Sequence, residues 1–104
     1  MGKATGFIEV FGLAAAFVAV DAGCKAANVT VETLDKNKPG NADALPVPLI
    51  VLIKFRGTVE DVKAAVDAAE RAVAPLTGVI SKHVIANTEE STEKMLKLNA
   101  FDKN

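Results

Sequence analysis

Tryptophan and tyrosine are absent from the 104 residues, cysteine and histidine occur once each, and neither sign of charge predominates: 12 basic side chains stand against 13 acidic ones. Each shortage closes a class of function. A net charge of −1 and a pI near 5.8, without Tyr or Trp, leave neither the basic footprint nor the preferred stacking rings of a nucleic-acid binder. Cys24 cannot form an internal disulfide and lacks the paired spacing of a zinc or iron–sulfur site, so it reads as a small buried hydrophobe. His83, with no second histidine and no nearby cysteine, reads as a packed or surface strand residue rather than a ligand or base. No Ser/His/Asp or Cys/His signature, metal motif or phosphate-binding glycine pattern is present, and Glu9 reads as a half-exposed strand residue. The expectation is a protein that is not an enzyme and carries no cofactor.

Long hydrophobic runs are missing too. The longest, Leu13–Val20 and Leu45–Ile53, fall short of the roughly 20 residues that span a bilayer, and no charged segment precedes an apolar core at the N-terminus. The expected location is the cytoplasm, with no membrane partner.

What the chain has in excess is apolar surface. Half its residues are hydrophobic and seven more are glycine, above the roughly 45–50% usual for that combined set. A folded monomer of this mass hides only about 65% of the area its unfolded chain exposes. Some of the excess is therefore expected at subunit contacts.

Along the chain, Gly6–Val10 reads as a short strand stopping at Gly12, and Leu13–Ala27 as a helix without proline. Asp21 and Lys25 are that helix's only charges, spaced i,i+4 with the acid first, which suits an ion pair. Its remaining faces are apolar, so it needs cover on more than one side, and a domain this small supplies one. Val29–Lys36 alternates, with Val29, Val31 and Thr33 on one face and Thr30, Glu32 and Leu34 on the other, as a half-exposed strand does. Residues 37–46 are loop chemistry, and Pro48–Phe55 is apolar on both faces, as in a central strand. Thr58 caps a second, amphipathic helix with Asp61 three residues on and a spine of Val59, Val62, Val66, Ala69 and Val73; Pro75 and Gly78 close it. Val79–Ala86 is a fourth strand, and Asn87 or Thr88 caps a short tail helix whose acids precede its lysines.

The predicted order, β-α-β-β-α-β plus a tail, is an α/β (α+β) fold of ferredoxin-like split type: an antiparallel four-stranded sheet, two helices on one face and a short C-terminal helix. Residues 1–86 form the domain and 87–104 the tail.

Four segments resemble the hexamer-forming shell proteins of bacterial microcompartments, the BMC-domain family. They are Gly6-Phe7-Ile8-Glu9-Val10 with Phe11-Gly12-Leu13; Asp21 with Ala22-Gly23-Cys24-Lys25-Ala26-Ala27; Phe55-Arg56-Gly57-Thr58-Val59 running on to Ala65; and Val79–Ile85. The resemblance implies cyclic hexamers that tile edge to edge into a shell around encapsulated enzymes, alone or with other shell proteins, with a central pore for small-molecule metabolites. It also implies a hexamer-edge contact at Asp21, Lys25 and Asn28, Lys25 meeting its symmetry mate, and a pore loop at Lys36, Asn37, Lys38, Pro39, Gly40 and Asn41.

Two departures accompany it. The family's edge arginine is missing where the chain reads His83-Val84-Ile85-Ala86-Asn87-Thr88, and the loop over 37–46 is several residues longer than the family's Gly-rich pore turn and contains no cysteine for an iron–sulfur pore. Six copies of Lys38 around an axis would favour anions. The alternative reading of the same strand-helix order is a ferredoxin-like small-molecule-sensing regulatory oligomer that uses the 37–46 loop.

Overall fold

Alternating apolar side chains at 8, 10, 51, 53 and 55 give two strands one buried face, and the valines at 62, 66 and 73 recur at helical spacing to cover it. The structure is a computed structural model and describes residues 3–37 and 49–98. The elements are β1 (Ala4–Phe11), α1 (Leu13–Ala26), β2 (Thr30–Asn37), β3 (Ile50–Gly57), α2 (Val59–Val73), β4 (Val79–Ile85) and α3 (Glu90–Leu96). The sheet order is β2-β3-β1-β4, every pairing antiparallel. This is the predicted split fold.

The helices α1 and α2 pack against each other and against the same sheet face. Ile8, Val10, Val51, Ile53 and Phe55 meet Ala15, Ala16 and Ala19 of α1 and Val62, Ala65, Val66, Ala69 and Val73 of α2. Gly12, at φ 90°, makes the sharp turn from β1 into α1, and its N–H donates to the Leu49 carbonyl at 2.7 Å. Thr58 caps α2 as predicted, accepting from the Asp61 N–H at 3.1 Å, and Gly78, at φ 85°, turns the chain out of α2 towards β4.

Three local expectations are corrected. Cys24 is exposed rather than buried. The inward side of α1 is Ala15, Ala16, Ala19 and Gly23, and the next residue lies about 100° away on the outer side. Leu34 faces the core with Val31 rather than opposite it. A bulge between Val31 and Leu34 adds one residue to β2, so Val31 pairs with Phe55 and Leu34 with Ile53, and the alternation slips by one. The tail helix is capped by Glu89, whose carboxylate accepts from the Ser91 and Thr92 N–H groups, and not by Asn87 or Thr88. Thr88 is buried instead, its hydroxyl 2.7 Å from that of Thr5.

Gly6 of β1 lies under α2. A Cβ there would sit 2.6 Å from Val62 Cγ1 and 2.7 Å from Val66 Cγ2, and β-branched side chains in a helix have little rotamer freedom to yield. Gly6→Ala is therefore expected to destabilise by about 1–3 kcal/mol through overpacking. Urea unfolding measures it, and an unchanged midpoint would contradict this packing.

Candidate functional site

The outer side of α1 carries a contiguous exposed stripe of Leu13, Ala14, Phe17, Val18, Asp21, Cys24 and Lys25. Phe17 keeps 61% of its surface open to solvent, Val18 39% and Leu13 38%. Apolar side chains grouped in this way leave surface in water that association would bury. At its C-terminal end Lys25 Nζ lies 2.8 Å from Asp21 Oδ2, the i,i+4 pair expected from the sequence, and the hydrogen bond to Asp21 raises the Lys25 pKa. Asn28 follows, exposed, after the helix. Cys24 sits within this stripe; partial burial and then Asp21 push its thiol up, which disfavours a reactive thiolate.

The pore-loop candidates divide. Lys36 and Asn37 lie at the end of β2, where Lys36 pairs with Val51 and Asn37 with Ile50, both exposed. Lys38, Pro39, Gly40 and Asn41 lie outside the described residues. His83 is exposed on β4, opposite Phe7. Glu9 is half-buried and accepts from the Ser81 hydroxyl. Among the described residues, no group of three His, Cys, Asp or Glu side chains is placed to hold a metal ion, and no helix is long and apolar enough to cross a membrane.

The most constrained polar cluster lies on the sheet face opposite α1 and α2. Lys54 and Arg56 alternate on β3 with the core residues Ile53 and Phe55, so both point away from the core. They are nevertheless 3% and 6% exposed, because α3 lies over them. Lys54 Nζ finds three acceptors for its three N–H groups: Asp35 Oδ2 at 2.6 Å, the Leu96 carbonyl at 3.1 Å and the Leu98 carbonyl at 3.0 Å. The Thr33 hydroxyl donates to the Leu96 carbonyl as well. Arg56 meets Glu93 in a two-toothed pair, at 2.7 and 2.5 Å, and reaches Glu32 Oε1 and the Ala4 carbonyl. Leu96 is the buried apolar side chain of α3.

Sequence reasoning passed over Lys54, Glu93 and the role of Arg56. The available signal was a pair of basic residues at i,i+2 interrupting an apolar strand; the two acids of β2, Glu32 and Asp35, are three residues apart and share a face only because of the bulge between Val31 and Leu34.

A family model for the BMC domain matches residues 4–88. The chain is 36% identical over 94 residues to the bacterial microcompartment shell protein PduA of Citrobacter freundii, covering 90% of this chain and 91% of that one. It is 35% identical over 100 residues to the carboxysome shell protein CcmK1 of Thermosynechococcus vestitus, covering 94% of this chain and 80% of that one. Among solved structures, a microcompartment protein from Desulfitobacterium hafniense superposes with a TM-score of 0.72 at 23% identity, over 93% of this chain and 48% of that chain, a likeness of fold.

Two outcomes follow from the cluster on β3. Lys54→Met keeps the stem and removes the charge, and is expected to cost about 2 kcal/mol, read by urea unfolding, because Asp35 and two carbonyls lose a charged donor. The hydrogen bond from Arg56 holds the Glu93 carboxyl below the usual carboxylate range; burial opposes this, while the charges of Arg56, Lys3 and Lys97 support it. A depressed folded value means stability that is complete above the ordinary carboxylate pKa and lost as pH falls through the depressed one. Stability measured against pH should fall less steeply on the acid side in Glu93→Gln; parallel curves would contradict the pair.

Proposed function

The chain belongs to the BMC-domain family, and on that premise we propose that it is a structural shell protein of a bacterial microcompartment, forming cyclic hexamers that tile edge to edge in the cytoplasm. The carrying observation is the exposed apolar stripe on α1 ending in the Asp21–Lys25 pair. A head-to-tail contact that closes on itself gives a ring, and a second contact between rings gives a sheet. In this reading Lys25 meets its symmetry mate across the ring-to-ring boundary, beside Asp21 and Asn28. The lysine stem packs while its ammonium finds acceptors on the adjoining ring.

The protein works as a barrier component rather than a catalyst. Its partners are further copies of itself, other shell proteins and the enclosed enzymes. Residues Lys36 to Asn41 line the central pore for small metabolites, where Lys38 from six copies raises the local concentration of anions. The missing edge arginine leaves Lys25 to carry more of the contact between rings.

Electron microscopy of purified protein should show flat hexagonal lattices or tubes. Lys25→Ala is expected to abolish these lattices while leaving the ring mass unchanged in light scattering; lattices that persist unaltered would remove Lys25 from the boundary. Lys38→Glu should reduce passage or binding of small anions without breaking the ring. Unchanged anion behaviour would contradict the pore assignment.

A further inference from the structure

Three features of α3 stand apart from the shell contacts. It spans seven residues, too short to hold helical shape without tertiary support. It buries one apolar side chain, Leu96, while Met95 and the following Leu98 remain 64% and 66% exposed. Its attachment to the sheet is otherwise polar: the Glu93–Arg56 pair and the Leu96 and Leu98 carbonyls on Lys54 and Thr33. An element held this way belongs to the low end of local stability and opens without the core.

The floor that it covers has a definite chemistry. The planar fork of Arg56 is oriented from behind by the Ala4 carbonyl and from the side by Glu32. Its two outer N–H groups point at both oxygens of one carboxylate, the arrangement that selects a carboxylate over a monatomic anion. Beside the pair lies a cleft of about 620 Å³ lined by Lys3, Arg56, Thr88, Lys97, Glu32 and Glu90, among others. When α3 lifts, Glu90, Glu93 and Lys97 go with it, Lys3 and Arg56 remain beside Glu32, and the fork of Arg56 has lost its closest acceptor.

We propose that this cleft is a carboxylate-binding site which the chain fills with its own Glu93, so that α3 is a releasable latch opened by small di- or tricarboxylates competing for the Arg56 fork. The core stays folded when α3 lifts, since β3 keeps both neighbouring strands and Lys54 keeps Asp35. Opening turns a neutralised patch of the sheet into a basic one and uncovers Lys54 and Arg56 together. The inference rests on α3 and β3 of one chain and stands whether or not rings form.

Hydrogen exchange of the full chain, read by mass spectrometry over 90–98 and over β3, tests it, with citrate as the probe against sodium chloride at matched ionic strength. Residues 90–98 are expected to exchange at least about tenfold faster than β3, and faster still in citrate than in chloride. Glu93→Gln, which leaves the core untouched, should raise exchange of 90–98 about tenfold or more without changing β3, and should bind citrate more tightly in calorimetry than the parent chain. Arg56→Lys keeps the charge but not the fork and should lose the citrate effect. Exchange of 90–98 only at the rate of β3, equal effects of citrate and chloride, or Glu93→Gln with unchanged tail protection would each overturn the proposal.

Discussion

A sheet with both large helices on one side leaves two apolar debts of surface, the outer side of the helix layer and the bare face of the sheet, and everything distinctive in this chain concerns how those two surfaces are covered. α2 meets the demand in the ordinary way, with its spine inward and Glu60, Lys63, Asp67 and Arg71 outward. α1 does not: beyond Asp21 and Lys25, its outer side offers water Leu13, Phe17 and Val18. No segment among the described residues lies over it. Burial of apolar side chains is the largest favourable term available to a domain of this size, so a surface of this kind drives association.

The bare sheet face is treated in the opposite manner. β3 carries Val51, Ile53 and Phe55 towards the helices and Lys54 and Arg56 towards α3, so one strand supplies both the centre of the core and the anchor of the tail. Cations this deeply covered stand only where each donor finds an acceptor, and no buried side-chain nitrogen or oxygen among the described residues lacks one. The two covers thus differ in permanence. An apolar contact made on α1 would depend little on pH, whereas the charge-keyed cover over β3 depends on the ionised Glu93 carboxylate and so on acid.

How much of this could be read beforehand depends on how local the cause was. The strand-helix order, the Thr58 cap and the doubly apolar α1 follow from periodicity and end signals within a few residues, and each stands in the structure as read. The burial assigned to Cys24 failed because residue type alone does not say which side of an apolar helix faces in; the ring of Phe55 against Gly23 decides that, 2.6 Å from where a Cβ would stand. Leu34 was placed on the wrong face because a bulge has no reliable mark in the sequence of β2. Glu89 took the cap from Asn87 and Thr88 because Thr88 is held by Thr5 and its N–H by the Lys3 carbonyl, contacts more than eighty residues apart in the chain. The Arg56–Glu93 pair was invisible for the same reason, joining residues 37 positions apart.

The central claim is that the outer side of α1 is covered by other copies of the chain in a closed ring of six. Sedimentation equilibrium over a range of micromolar concentrations, on the parent chain and on Phe17→Asp, tests it most directly. The account predicts a mass six times that of the 10.8 kDa chain for the parent and smaller species for the variant. A parent chain that sediments as a monomer throughout, or a Phe17→Asp variant indistinguishable from it, would contradict the account.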